Sequence, residues 1–149
     1  MKAGRREENL NNLPAFPPSC GLSPAKVDHY RWVRTLGGTD QQWATGVALD
    51  PFDNVVVVGH ADKEIDLGDG PLSLADDSGF VVKLSPDAEL VWHRFLGKDA
   101  LPYAVASSPD GETLVTGWTR AKGADWGAGP LPNIGDDGHQ HLVIAKLGR

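Results

Sequence analysis

The sequence predicts an all-β fold on three observations. Valine-rich segments alternate with turn signals: GVALD (46–50) and NVVVVG (54–59) flank Pro-Phe-Asp, while FVVKL (80–84) and ELVWHRFL (89–96) flank Ser-Pro-Asp-Ala. The 149 residues include 18 glycines and 11 prolines, which suits many short strands joined by tight turns. No window shows a convincing 3.6-residue apolar period, so no helix is predicted.

The N-terminal segment stands apart from this pattern. It is polar and proline-rich and shows no periodicity, so we predict a disordered or loosely attached leader at positions 1–28 and a repeat region at 29–149. The leader lacks the apolar segment of a secretion signal, so a signal peptide is not predicted. It holds the one cysteine, Cys20, interpreted as a free thiol, which leaves no internal disulfide framework.

The repeat region contains one unit twice. Trp32 and Trp92 begin matching segments, and the other matching segments recur with nearly the same spacing. We therefore predict repeat units at about 32–91 and 92–149 that stack and bury each other's sheets. The matching segments are WVRTLGG (32–38) with WHRFLGK (92–98), WATGVALDPFDNVVVVGHA (43–61) with YAVASSPDGETLVTGWT (103–119), DLGDGPL (66–72) with DWGAGPL (125–131), and FVVKLS (80–85) with VIAKLG (143–148).

Each unit is predicted to form two hairpins and hence four strands. In the first unit the Gly-, Pro- and Asp-rich segment 61–79 links the hairpins. The continuous valines at 55–58 indicate a strand that is buried on both faces. Sheets packed between sheets, as in a β-propeller, meet that requirement better than a sheet with one face in water. A β-sandwich is the main alternative, although it does not by itself require two copies of the same long unit.

These segments resemble the SBBP-type β-propeller repeats of bacterial proteins. The resemblance rests on Trp32 and the glycines that follow it, on GVALDPFDNVVVVG (46–59), on DLGDGPLSLADDSGFVVKLSPDAELVW (66–92), and on the second copy through VIAKLG. It covers about positions 30–149. It implies one blade per repeat, and so two four-stranded antiparallel blades that form an incomplete propeller. It also implies a secreted or surface-attached bacterial protein, and it supplies no catalytic residue.

The order of the strands leaves both ends of the repeat region unmatched. The segment from Tyr30 to Leu36 corresponds to the last strand of a unit, and the sequence stops shortly after Leu147, where another such strand would follow. Propellers typically have 4–8 blades, so two blades cannot close a ring. Three interpretations stay open: a fragment of a longer propeller, head-to-tail self-association in which this strand completes a neighbour's blade, or two open sheets with exposed edges.

Composition and motifs argue against several classes of function. The net charge is −6 and no basic cluster stands out, so nucleic-acid binding is not predicted. No stretch approaches the roughly 18 apolar residues of a membrane helix. No phosphate-binding loop, G-x-S-x-G or H-E-x-x-H motif is present, so no reaction class is predicted.

Aspartates in the glycine-rich loops are candidate Ca²⁺ ligands, although Asp and Gly are also common turn residues. Asp69 in the first copy becomes Ala128 in the second, so the ligand set does not repeat and turn roles are the preferred interpretation. His139 and His141 would share one face of a strand and could hold a metal together with a third ligand, but the sequence identifies no third ligand, so a metal site is not the preferred interpretation. The calcium candidates are Asp66, Asp69, Asp76, Asp77, Asp136 and Asp137, with Asp125 nearby.

The tryptophans allow a structural and a binding interpretation. Trp32 and Trp92 recur at one position of the repeat, which favours packing between blades. Trp43 is aligned with Tyr103, so an aromatic residue recurs there too. At strand ends or in loops, three tryptophans could instead stack on a sugar: Trp43, Trp118 and Trp126.

The predicted function is a non-catalytic binding or structural module of a bacterial surface or secreted protein. The alternative is a carbohydrate-binding or carbohydrate-active propeller whose pocket forms only on assembly, and a third interpretation is a truncated product. The sequence does not identify the protein or glycan ligand, and it predicts no cofactor apart from the calcium alternative.

Overall fold

The computed structural model describes residues 31–75, 77–131 and 138–148, and these residues form β-strands and no helix. The predicted all-β class is therefore confirmed. The strands are β1 (Gln42–Leu49), β2 (Val55–Ala61), β3 (Glu64–Asp66), β4 (Pro71–Ser73), β5 (Ser78–Leu84), β6 (Leu90–Lys98), β7 (Ala100–Ser107), β8 (Thr113–Thr119) and β9 (His141–Leu147).

The first sheet is a four-stranded antiparallel sheet in the order β1-β2-β5-β6. Both predicted hairpins are present, because each turn carries the residues that its geometry needs. In the β1–β2 turn, the Asp50 carboxylate accepts hydrogen bonds from the backbone N–H groups of Phe52 and Asn54 at 2.8 and 2.9 Å. In the β5–β6 turn, the Ser85 hydroxyl accepts one from the N–H of Glu89 at 3.1 Å.

The link predicted at positions 61–79 contains a small hairpin that the sequence pattern did not reveal. Strands β3 and β4 pair antiparallel, with Ile65 opposite Leu72. Ile65 and Leu67 are buried against the outer side of the first sheet. The hairpin therefore covers part of a sheet face, which a plain loop would not do.

The second sheet has three antiparallel strands in the order β7-β8-β9, so the predicted four-stranded form is not met. Within the described ranges, no strand pairs with the outer edge of β9. The first sheet does have a strand at the corresponding place, since β6 pairs with β5 there.

The two sheets pack face to face, with β7 lying against β1 and β2. Their shared core includes Val56, Val81 and Val115, and the Thr45 hydroxyl donates a 2.5 Å hydrogen bond to the Pro102 carbonyl. Gly79 permits the close approach, because any Cβ there would overlap the backbone carbonyl of Ala100.

The run of valines in β2 predicted burial on both faces of the strand. Val56 and Val58, on the side that meets the second sheet, are completely buried. Val55 and Val57, on the outer side, are half-buried and pack against the cluster around Ile65. The prediction therefore holds in full for one face and in part for the other.

The segment from Tyr30 to Leu36 was predicted to be a strand, but its described residues do not form one. A strand needs a hydrogen-bonding neighbour, and the nearest backbone pairing is a single bridge between Gly37 and Asp66. The segment is held instead by side chains: Trp32 Nε1 donates to the Pro86 carbonyl at 2.9 Å, and Arg34 donates to the Ala88 carbonyl. Tyr30 and the predicted leader at 1–28 lie outside the described residues.

One part of the repeat alignment is corrected by the strand register. Each first strand carries an irregularity, between Ala44 and Gly46 in β1 and between Pro102 and Ala104 in β7. When the two irregularities are superposed, Trp43 corresponds to Leu101 and not to Tyr103. The alignment of Trp43 with Tyr103, which matched one aromatic residue to another, is therefore wrong by two residues.

Candidate interaction surface

The register gives every position of β8 and β9 a counterpart in the first sheet. Val55 lies opposite Leu84 in the first sheet, and Thr113 lies opposite Leu147 in the second. Counting along the strands from these two pairs, each residue of β8 matches one of β2, and each residue of β9 matches one of β5. Strands β8 and β9 therefore match β2 and β5 residue by residue.

One side of the second sheet is an apolar surface with no covering element among the described residues. We call it the open face and define it by Leu114, Thr116, Leu142 and Ile144. Leu142 and Ile144 are 78% and 71% exposed. An exposed apolar surface of this kind marks an interaction site more often than an ordinary stretch of surface does.

The counterpart of the open face is completely covered. The counterparts of Leu114, Thr116 and Ile144 are Val56, Val58 and Val81, and all three are 0% exposed. In the first sheet this face is covered by β7 of the second. The open face of the second sheet therefore matches the surface on which the first sheet is covered by another sheet of the same chain.

The outer side of the first sheet is the complementary surface. We call it the counter-face and define it by Val47, Leu49, Val55 and Val57. Val47 and Leu49 are 67% and 64% exposed. In the second sheet their counterparts face the first sheet and help to form the contact between them: Val105, Ser107, Thr113 and Val115.

Two aspartates of the repeated loop have the turn role that the sequence favoured. Asp66 Oδ1 accepts hydrogen bonds from the N–H groups of Gly68 and Gly70 at 2.7 and 3.2 Å. Asp125 Oδ1 accepts from Gly127 and Gly129 at 2.8 and 3.0 Å. The segments DLGDGPL (66–72) and DWGAGPL (125–131) therefore form loops with the same hydrogen bonds.

The pKa of Asp125 is lowered, chiefly because its carboxylate accepts the hydrogen bond from the Gly127 N–H. Partial burial acts in the opposite direction, while the Gly129 N–H and the Arg94 guanidinium reinforce the lowering. Arg94 Nη2 lies 3.3 Å from Asp125 Oδ1.

The other calcium candidates are dispersed. Asp69 pairs with His93 at 3.0 Å, and Asp77 lies 3.8 Å from His60. Asp76, Asp136 and Asp137 lie outside the described residues. Across the described ranges, no group of three or more His, Cys, Asp or Glu side chains could hold a metal ion. Calcium binding stays an untested alternative to the turn roles.

The two histidines of the H-x-H motif do not share a strand. Strand β9 begins at His141, and His139 precedes it. The premise that placed both imidazoles on one strand face is therefore not met.

Four of the tryptophans contact other side chains of the same chain: Trp43, Trp92, Trp118 and Trp126. Trp92 packs against the shared core, and Trp126, offered above for sugar stacking, is buried within it. Trp43 stacks on His60 with ring centroids 4.6 Å apart, and the Arg120 guanidinium lies 4.9 Å from the Trp118 ring. Trp32 is partly exposed.

A buried ion pair is the feature that sequence reasoning missed. Lys83 Nζ lies 2.7 Å from Asp50 Oδ2, and both side chains are almost completely buried. Asn54 Nδ2 donates to the same carboxylate at 2.9 Å. The available signal was a lysine in the otherwise apolar strand FVVKL. Its counterpart Lys146 pairs with Glu112 in a largely exposed position.

Comparison of the chain with models of known protein families and with curated proteins gives no match. The resemblance to SBBP-type repeats therefore stays a prediction. In the part of the chain that the structure describes, no helix is long and apolar enough to cross a membrane.

Replacing Asp125 by alanine is expected to lower the free energy of unfolding by about 1–2 kcal/mol, because the N–H groups of Gly127 and Gly129 lose their acceptor. Asp125→Asn keeps an acceptor oxygen and should cost less. Chemical unfolding of both variants, with and without Ca²⁺, measures the difference. Stabilisation of the wild type by Ca²⁺, lost in both variants, would contradict the turn role and favour a calcium site.

Proposed function

We propose that this chain is a non-catalytic binding and structural module of β-propeller-type repeats, and that it acts by stacking a further β-sheet onto its open face. The observation that carries the proposal is the residue-by-residue correspondence between the open face and the fully buried face of the first sheet. A surface built to the same pattern as a packed core is suited to the same kind of contact.

The blade-like character of the two sheets supports this proposal. Each sheet is an antiparallel meander, and the first strand of the second sheet, β7, packs on β1 and β2 of the first. The resemblance to bacterial surface repeats points in the same direction and suggests an extracellular location. Stacking of similar units is how repeat proteins bury their sheets.

The charges at the margin of the open face also suit a stacked sheet. Lys146 occupies the position that corresponds to Lys83, and it is paired with Glu112. A lysine that already has a carboxylate partner can be covered at a lower cost than an unpaired one.

The proposal is tested with the dye 8-anilinonaphthalene-1-sulfonate, which binds exposed apolar surface. In dilute protein, the double variant Leu142→Glu with Ile144→Glu should bind clearly less dye than the wild type, and the dye fluorescence that remains comes from the counter-face, which the variant leaves unchanged. Its free energy of unfolding should stay within about 0.5 kcal/mol of the wild-type value, because both side chains are exposed.

The matched control is Val91→Glu, which changes an exposed valine of β6 outside both faces. The proposal fails if the control removes as much dye binding as the double variant. It also fails if the double variant unfolds the protein, since the two residues would then belong to the core and not to a docking surface.

A further inference from the structure

We infer that the sheet covering the open face belongs to a second copy of this chain, bound head to tail through its counter-face. This inference rests on the proposed function and names its partner. The contact would repeat the interface that already joins the two sheets within one chain.

The first step is the complementarity of the two outer faces. Within one chain, the inner side of the first sheet packs against the inner side of the second sheet. The open face matches the inner side of the first sheet, and the counter-face matches the inner side of the second sheet. In the internal contact Val115 and Val81 belong to one core. In the contact between copies their counterparts are Val57 of one copy and Ile144 of the other. Each chain therefore carries both halves of the same interface.

One position of the open face departs from the internal interface. Leu142 corresponds to Gly79, which lies directly against the Ala100 carbonyl and has no room for a side chain. Leu142 therefore requires the two sheets to lie further apart at this edge between copies than they do within the chain. The rest of the face keeps the apolar pattern of its buried counterpart.

The second step concerns the free edge of β9. In the first sheet, β6 pairs with the edge of β5 that corresponds to this one. Residues 32–36 share Trp, Arg and Leu with residues 92–96 of β6. The Arg34 guanidinium lies beside Gly68, as the Arg94 guanidinium lies beside Gly127, so the segment and β6 sit next to corresponding loops. In a head-to-tail pair, this segment of the second copy lies along β9 of the first copy and keeps its side-chain hydrogen bonds to the Pro86 and Ala88 carbonyls of its own chain.

The register of that pairing follows from the first sheet. Val82 of β5 lies opposite His93 of β6. The counterpart of Val82 is Ala145, and the counterpart of His93 is Val33, so Ala145 of one copy lies opposite Val33 of the other. Val33 is 79% exposed in the single chain, which leaves it available for such a contact.

The two faces differ, so the association is heterologous. Heterologous contacts close into rings when the rotation permits and otherwise propagate as filaments. A ring of two or three copies would bring together four or six sheets, within the range of closed propellers.

The test uses two variants of the full chain, each with one face blocked. Ile144→Glu blocks the open face, and Val47→Glu blocks the counter-face. Light scattering over a concentration series should find the wild type as multiples of 15.9 kDa and each variant alone as a single copy. An equimolar mixture of the two variants should form a dimer, because each retains the face that the other lacks.

Thermal melting of both variants shows whether they stay folded, and Val91→Glu should assemble like the wild type. A single-copy wild type at every concentration would overturn the inference while leaving the dye result, and hence the proposed function, intact. Dimers of Val47→Glu alone would overturn it as well, because they would show open face against open face. Failure of the mixture to associate would likewise overturn it.

Discussion

Replacing Lys83 by methionine is expected to lower the free energy of unfolding by about 3–5 kcal/mol. The change removes the cation 2.7 Å from the buried Asp50 carboxylate and leaves a charge that water cannot reach. Breaking one side of a buried ion pair costs far more than the pair itself contributes, because the remaining charge stays desolvated. Urea unfolding followed by tryptophan fluorescence measures the loss.

The repeat supplies a matched control. Lys146→Met removes the corresponding lysine from the largely exposed pair with Glu112 and should cost less than about 1 kcal/mol. The double variant Lys83→Met with Asp50→Asn should regain much of the lost stability, because no buried charge is left. Equal, small losses for the two lysine variants would contradict the assigned burial.

The pH dependence of stability reports on the same pair. Burial raises the pKa of Asp50, but hydrogen bonds from Lys83, Asn54 and the backbone outweigh it and lower the pKa to about 2 from the ordinary 3.8. Because the pKa is lower in the folded chain, the stabilisation is present above pH 3.8 and is lost as the pH falls towards 2. Lys83→Met should flatten this part of the stability curve.

Much of the fold was predictable because the local signals and the tertiary structure agree. The turns at 51–53 and 85–88 carry their own hydrogen-bonding side chains, and the valines of β2 are completely buried on one side and half-buried on the other. The internal repeat predicted two similar sheets, and strands β7, β8 and β9 pair in the same register as β1, β2 and β5.

Other features of the fold could not be predicted, because they depend on tertiary contacts that local sequence patterns do not encode. Strands β3 and β4 are very short and lie in a glycine-rich segment, so their alternation cannot be detected. The segment around Arg34 has the sequence of a strand, yet strand formation requires a neighbour to pair with. The burial of Lys83 in β5 could not be predicted, because its carboxylate partner Asp50 comes from the β1–β2 turn, which is distant in the sequence.

A disulfide between Val33 of one copy and Ala145 of the next is expected to form only if the two copies associate head to tail. The variant carries Val33→Cys and Ala145→Cys, with Cys20→Ser to remove the native thiol. Directly opposed residues in an antiparallel pair lie about 4.5–5.5 Å apart between Cα atoms, which suits a disulfide. The control pairs Val33→Cys with Val91→Cys, which is exposed but lies on a strand away from the junction.

The decisive measurement is a non-reducing gel of this variant after mild oxidation. Head-to-tail assembly predicts a ladder at multiples of 15.9 kDa that collapses on reduction, and no ladder from the control pair. A single 15.9 kDa band from the Val33 and Ala145 variant, or equal ladders from both variants, would contradict the completion of the second sheet by a neighbouring copy.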